Sequence, residues 1–276
     1  MVVSREFSYD GVSGRRAARS WSDPQVDPSH IVLLVHGYGE HVGRYQHVAE
    51  ALVANGAAVY GVDHVGHGRS EGERVLLGDI EDVVTDFHQL DESARAEHPD
   101  LPVALIGHSM GGLIGARYLQ RYGTAVATAV LSGPVIGDST VAHALLTLDE
   151  MPNEPLNVAV LSRDDAVGQA YADDPLVWHG PFKRPTVEAM ARGAEAVQSG
   201  PSLGGLPLLW IHGVEDTLVP LENSRGGIEH LKGEVFEQRL YEGARHEVFN
   251  ETNNADVLAD VTDFLNRTLA TAPARG

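Results

Sequence analysis

The chain has 276 residues, 43% of them hydrophobic, which is enough for one large domain with a substantial core and argues against intrinsic disorder. It contains no cysteine, so disulfides, thiolate catalysis and zinc–cysteine sites are excluded. Its formal net charge is −19, with Lys183 and Lys232 the only lysines among 20 basic residues; such a surface repels phosphate backbones and anionic lipid, which argues against nucleic-acid partners and requires any membrane contact to be apolar.

The opening stretch MVVSREFSYDGVSGRRAARSW carries no apolar targeting segment, and no later apolar run approaches the ~18 residues of a membrane span, so a cytoplasmic protein is expected. HIVLLVHG (30–37), AAVYGVDHVGHG (57–68) and LPVALIGHS (101–109) are apolar runs that read as strands. Between them, YQHVAEALVANG and DIEDVVTDFHQLDESARAEHP read as helices, the second opening on acidic residues and stopping at Pro99. A helix over 110–122, strands at 128–133, 207–213 and 234–241, and helices at 221–232 and near 254–270 continue the alternation. Strands alternating with helices predict an α/β fold with a mostly parallel central sheet flanked by helices. The pattern breaks between about Val135 and Leu203, too long a stretch for a simple loop, and this predicts an inserted helical cap over 135–203 on a core formed by 1–134 and 204–276.

In LIGHSMGGLIGARYLQ (105–120) one serine is surrounded by small residues. Where a strand turns sharply into a helix, the residue at the turn is strained and its neighbours two positions away must be small. Gly107-His108-Ser109-Met110-Gly111 meets this G-x-S-x-G requirement, with an apolar strand before it and a helical pattern after it. The turn presents the Ser109 hydroxyl at the helix N-terminus, where N–H groups and the positive dipole end favour an oxyanion.

A serine hydroxyl needs a base to take its proton and a carboxylate to orient that base, and on this strand–turn–helix frame both follow the serine in the chain. Asp216 lies just past the strand PLLWIHG, with Glu215 as its competitor, and His246 lies on the loop after EVFEQRLYEGARH. Of the 14 histidines, His64 and His67 in DHVGHG are spaced like metal ligands beside Asp63, but the glycine-rich turn and the lack of further ligands favour a structural loop; His36 and His212 read as buried strand-end imidazoles. The two N–H donors of an oxyanion hole are expected from Met110, directly after the nucleophile, and from Tyr38 in VHGYGEH, whose ring would overhang the acyl site. His108 beside the nucleophile is a further candidate for substrate contact.

HGYGEHVGRYQHVAEAL, VDHVGHGRSEG, GHSMGG, HGVEDTLVP and GARHEVFNE, in this order, together resemble the monoacylglycerol lipases of the α/β-hydrolase superfamily, over nearly the whole chain outside the cap. The resemblance implies the α/β-hydrolase fold. It assigns Ser109, Asp216 and His246 to a triad and the Tyr38 and Met110 amides to the oxyanion hole. Within QAYADDPLVWHG it places Tyr171 near the glycerol end of the substrate. It also implies a serine hydrolase that cleaves monoacylglycerols with no metal or cofactor. Two departures stand out: the cap between 134 and 161 is shorter than the family's, and Tyr38 stands where many relatives have a small or aliphatic residue. A general carboxylesterase acting on short-chain or xenobiotic esters would use the same residues, and a non-catalytic lipid-binding hydrolase fold is the reading from another class. The apolar VAHALLTL of the cap is expected to form an acyl tunnel and to touch lipid aggregates or a membrane surface transiently, with core packing as the competing role.

Overall fold

The computed structural model describes residues 1–154 and 156–270; residues 271–276 of the expected core and Pro155 of the expected cap lie outside the described residues. Eight strands form one sheet: β1 (Val3–Gly11), β2 (Gly14–Ser22), β3 (His30–Val35), β4 (Ala57–Val62), β5 (Val103–His108), β6 (Thr128–Ser132), β7 (Leu208–Gly213) and β8 (Phe236–Tyr241). Their order is β1-β2-β4-β3-β5-β6-β7-β8. The hairpin β1–β2 joins β4 antiparallel, and every other pair is parallel. The hairpin has no counterpart in the predicted elements, because its strands carry charged and polar residues where the inner strands are aliphatic.

Strands β3, β4, β5, β6 and β7 are buried along their whole length, which explains why they read as continuous apolar runs rather than alternating ones. Successive side chains still face opposite ways. Ile31, Leu33 and Val35 enter the core cluster on one face of the sheet, and Val32 and Leu34 enter the cluster on the other. The first face is covered by α2 (Ile80–Glu97) and α3 (Met110–Tyr122), the second by α1 (Gln46–Ala54) and α8 (Asn254–Leu269). Helix α2 is started by Asp79, whose side chain accepts from the Glu81 N–H.

The expected cap segment holds α4 (Thr140–Leu146), α5 (Asp165–Asp173) and α6 (Arg184–Ser199). Leu161, Tyr171 and Val177 make a small apolar cluster of their own, which Leu218 of the core touches. Helix α6 buries Ala189, Ala194 and Val197 in the same cluster as α2 and α3, and a Cβ on its Gly193 would come within 3.0 Å of Ile80 and 3.3 Å of Leu113. Its small-residue face thus seats it directly on the core helices. Helix α7 (Leu221–Leu231) adds Ile228 and Leu231 to that face. Among the described residues no helix is long and apolar enough to cross a membrane.

Candidate active site

Ser109 sits between β5 and α3 at φ +57° and ψ −120°, a conformation that costs a non-glycine residue on the order of 1–3 kcal/mol. The surroundings hold it there. Its N–H donates to Ser132 O at 2.9 Å, and its carbonyl accepts from Gly112 N at 2.9 Å and Val135 N at 3.1 Å. The flanking glycines are required by close approach: a Cβ on Gly107 would lie 2.5 Å from Gly111 O, and one on Gly111 would lie 2.1 Å from Val35 O.

Asp216 and His246 come together on the loops beyond β7 and β8, with Asp216 Oδ2 2.7 Å from His246 Nδ1. The other carboxylate oxygen accepts from the Leu218 and Val219 amides at 2.9 and 2.8 Å. His212 has a definite tautomer. Its Nδ1 accepts from the Trp210 indole N–H at 3.2 Å, so its proton sits on Nε2, 2.9 Å from Val219 O and 3.4 Å from Asp216 Oδ2. Burial would raise the Asp216 pKa, but the His246 charge and these donors outweigh it and hold the carboxyl below its usual range. The ionised carboxylate accepts from His246 Nδ1–H and leaves Nε2 with its lone pair. Burial would depress the His246 imidazole, but Asp216, with Glu247 and Glu40 adding, raises it above its ordinary value of 6.5.

Ser109 belongs to the same cluster. The ring of its neighbour His108 lies 4.7 Å from the ring of His246, and a Cβ on Gly133, one residue past the Ser132 carbonyl that Ser109 binds, would lie 3.4 Å from His246 Nδ1. Among the described residues, neither the Met110 nor the Tyr38 amide N–H finds an acceptor. Met110 owes this to its place as the first residue of α3. Gly37, next to Tyr38, approaches so closely that a Cβ on it would lie 3.2 Å from Ser109 Cβ. These two amides flank the serine where an anion could be received.

The remaining predicted residues fall around this centre. His108 is buried, bonds Ser132 Oγ through Nδ1 at 3.0 Å, and is pushed down to about 3 by burial and by His246, so it is a neutral ring packed on the flank of His246. Tyr171 of α5 is also buried, and its hydroxyl would be 3.7 Å from a Cβ on Gly39. The Tyr38 ring stacks on Phe182 at 4.6 Å and 18°, and Trp178 N donates to Gly39 O at 2.7 Å, so the 174–183 loop is clasped onto the turn that carries the Tyr38 amide. His36 and His64 pack with ring centroids 4.0 Å apart and exchange bonds: His64 N donates to His36 Nε2 at 3.1 Å and His64 Nε2 to His36 O at 3.0 Å.

Sequence reasoning passed over Glu40, Arg44 and Glu247, a buried ion cluster beside His246, and Phe182. The signals were present as the i, i+4 acid–base pair in GEHVGR and as the acidic residue directly after the histidine.

Comparison with known proteins matches residues 26–253 to the Hydrolase_4 family, described as serine aminopeptidase, S33. A monoacylglycerol lipase of Mycolicibacterium smegmatis is 39% identical over 94% of this chain and 96% of its own length. A monoglyceride lipase of Rattus norvegicus is 31% identical over 93% of this chain and 88% of its own. Among solved structures, a soluble variant of the monoglyceride lipase of Saccharomyces cerevisiae, in complex with a substrate analog, superposes with a TM-score of 0.84 at 20% identity over 96% of both chains.

Proposed function

The chain belongs to the monoacylglycerol lipase family of the α/β-hydrolases, and from this premise we propose that it hydrolyses the carboxylic ester of monoacylglycerols to fatty acid and glycerol, with Ser109 as nucleophile, His246 as base and Asp216 as orienting acid. The observation that carries the assignment of residues is the 2.7 Å bond between Asp216 and His246 beside the strained Ser109 turn, because it fixes the tautomer whose Nε2 can accept a proton.

Ser109 Oγ attacks the ester carbonyl carbon as its proton passes to His246 Nε2. The Tyr38 and Met110 amides receive the oxyanion, each such donor being worth about 3–4 kcal/mol of transition-state stabilisation. The carbon–oxygen bond to glycerol then breaks, and His246 protonates the departing oxygen. Water attacks the acyl-enzyme, gives a proton to His246, and Ser109 leaves with that proton restored as the fatty acid is released. Tyr171 belongs to the substrate end of the site, whereas His108, buried on Ser132 and on the flank of His246, supports the base instead of contacting substrate. Leu148 and Leu156, exposed on the cap at 43% and 36%, supply the apolar contact with lipid aggregates; the acidic surface leaves apolar contact as the workable kind.

The test is the relative kcat/KM for 1-monooleoylglycerol, 1-monobutyrylglycerol, trioleoylglycerol and p-nitrophenyl butyrate, with Ser109→Ala as the blank. Preference for the monoacylglycerols with triacylglycerol nearly inert is expected. Turnover of p-nitrophenyl butyrate with little monoacylglycerol cleavage would make the chain a general esterase on this framework, and an active, folded Ser109→Ala variant would overturn the mechanism.

A further inference from the structure

Behind the candidate triad lies a buried ion cluster that the reaction as written does not use. Arg44 Nη1 and Nη2 each donate to an oxygen of Glu247 at 2.8 Å, and Nη1 also donates to Glu40 Oε2 at 2.6 Å. Glu40 Oε1 accepts from Gly37 N at 2.6 Å and from Tyr45 Oη at 2.7 Å, and Glu247 Oε2 accepts from Asn250 Nδ2 at 2.7 Å. Glu40 and Glu247 are 4% and 5% exposed. Removing three charges from water is costly, and apolar side chains of similar volume can fill such a space without that cost, so a space-filling role does not account for the cluster.

Its connections indicate another role. Glu40 holds the amide of Gly37, and the next amide in the chain is that of Tyr38. Glu247 is the residue after His246. One guanidinium therefore joins the turn after β3, which carries a candidate oxyanion donor, to the loop after β8, which carries the candidate base. A bidentate fork fixes orientation as well as distance, which a point charge does not. Resting on the reading of Ser109 and His246 given above, we propose that Arg44, gripping Glu40 and Glu247 together, is a positioning unit that locks the Tyr38 amide and the His246 ring into one rigid body in register with Ser109.

The cluster holds two carboxylates against one guanidinium, so it also leaves excess negative charge near the base. The groups facing His246 are Asp216 from the loop after β7, Glu247 on its own loop, Glu40 from the turn after β3, and neutral His108 from the end of β5. Burial would raise Glu247, but the Arg44 charge and its hydrogen bonds hold it down to about 2, so it is ionised throughout the working range and favours the imidazolium formed when Ser109 gives up its proton.

The experiment compares Arg44→Lys, Glu247→Gln and Tyr45→Phe in the full chain by kcat, KM and pH profile on p-nitrophenyl butyrate, with melting temperature recorded for each. Arg44→Lys keeps the charge and loses the fork; kcat is expected to fall on the order of 10- to 100-fold, with KM nearly constant and the acid limb in place. Glu247→Gln keeps the shape and loses the charge; kcat is expected to fall likewise, with the acid limb displaced to lower pH. Wild-type kcat and an unmoved acid limb in both, whatever the melting temperature does, would overturn the proposal, as would a rise in KM at constant kcat. If both charge variants fail to fold, Tyr45→Phe decides, since it deletes one hydroxyl and leaves every charge in place: a several-fold loss of kcat supports the unit and an unchanged kcat overturns it. A parent chain that neither turns over esters nor takes a fluorophosphonate label on Ser109 would sink the proposed function, whereas an active parent with indifferent variants sinks only this inference.

Discussion

Asp216→Asn tests the tautomer argument at a single atom. In the native chain Asp216 Oδ1 accepts two backbone N–H groups at 2.9 and 2.8 Å, while Oδ2 faces His246 Nδ1 at 2.7 Å and His212 Nε2 at 3.4 Å. An asparagine must put its NH2 group on one side. Placing it against the two amides would leave buried donors unpaired at about 1–3 kcal/mol each, so the oxygen stays with them and the NH2 turns toward His246. His212 cannot relieve that side, because the Trp210 indole N–H fixes its own proton on Nε2. His246 then accepts at Nδ1 and carries its proton on Nε2, where it presents a donor rather than a lone pair to Ser109. Loss of the correct tautomer and of the charge that supports the imidazolium is expected to lower kcat roughly 10³- to 10⁴-fold, about 4–5.5 kcal/mol in the barrier. The assay is p-nitrophenyl butyrate turnover above the acid limb together with the rate of fluorophosphonate labelling, with Glu215→Gln as control because Glu215 is exposed. An Asp216→Asn variant within about tenfold of the parent, or a larger loss in Glu215→Gln, would refute the assignment and the tautomer reasoning with it.

Activity should fall as pH drops through the titration of His246, since the base must be neutral to act; its pKa is raised by Asp216, so the acid limb of kcat/KM is expected above 6.5, and a profile flat to pH 5 would contradict it. Gly111→Ala would drive a Cβ to 2.1 Å from Val35 O and 2.5 Å from His36 O, both backbone atoms, so the melting curve should show a loss of about 1–3 kcal/mol or more, and an unchanged melting temperature would show that the turn yields easily. His64, His67 and His108 are pushed by burial down to about 3, 4 and 3, so the unfolded chain takes up their protons below 6.5 while the folded chain does not; stability is full above 6.5 and is lost as pH falls toward those values. At pH 5 the three together cost about 6 kcal/mol, a large share of a domain's usual stability, partly offset by His246, whose raised pKa stabilises the fold below 6.5; thermal melts across this range check the sign and the size.

The inner strands were legible in the sequence because burial on both faces leaves a continuous aliphatic run, as in Val103–His108. The hairpin Val3–Gly11 and Gly14–Ser22 was not legible, because an outer pair keeps polar residues on its open face and buries only Arg16, Ala18 and Trp21 of its second strand. Arg16 in particular reads as a surface residue and is instead paired inside with Asp86 at 2.6 Å, a partner 70 residues away that no local pattern reveals. The Ser109 turn was legible for a different reason: backbone collisions at Gly107 and Gly111 restrict residue type locally, so they leave a mark in five consecutive letters.

The histidines show where local reading stops. His64, His67, His108 and His246 are all buried, and composition cannot rank them as bases. What separates them is the sign of the electrostatic balance. At His64, His67 and His108 desolvation dominates, and for His64 and His108 it is reinforced by neighbouring histidines. At His246 desolvation is also the largest effect, but Asp216, Glu247 and Glu40 converge on the ring from three separate loops and together exceed it. A base that must be neutral before reaction and charged during it needs this near-balance, since a ring dominated by burial could not accept the proton and a ring in open water would gain little from its carboxylate. The balance arises from residues up to about 200 positions apart in the chain, as Glu40 and His246 are; position after the last strand singles out His246 in the sequence, but the charges that offset its burial come together only in the fold.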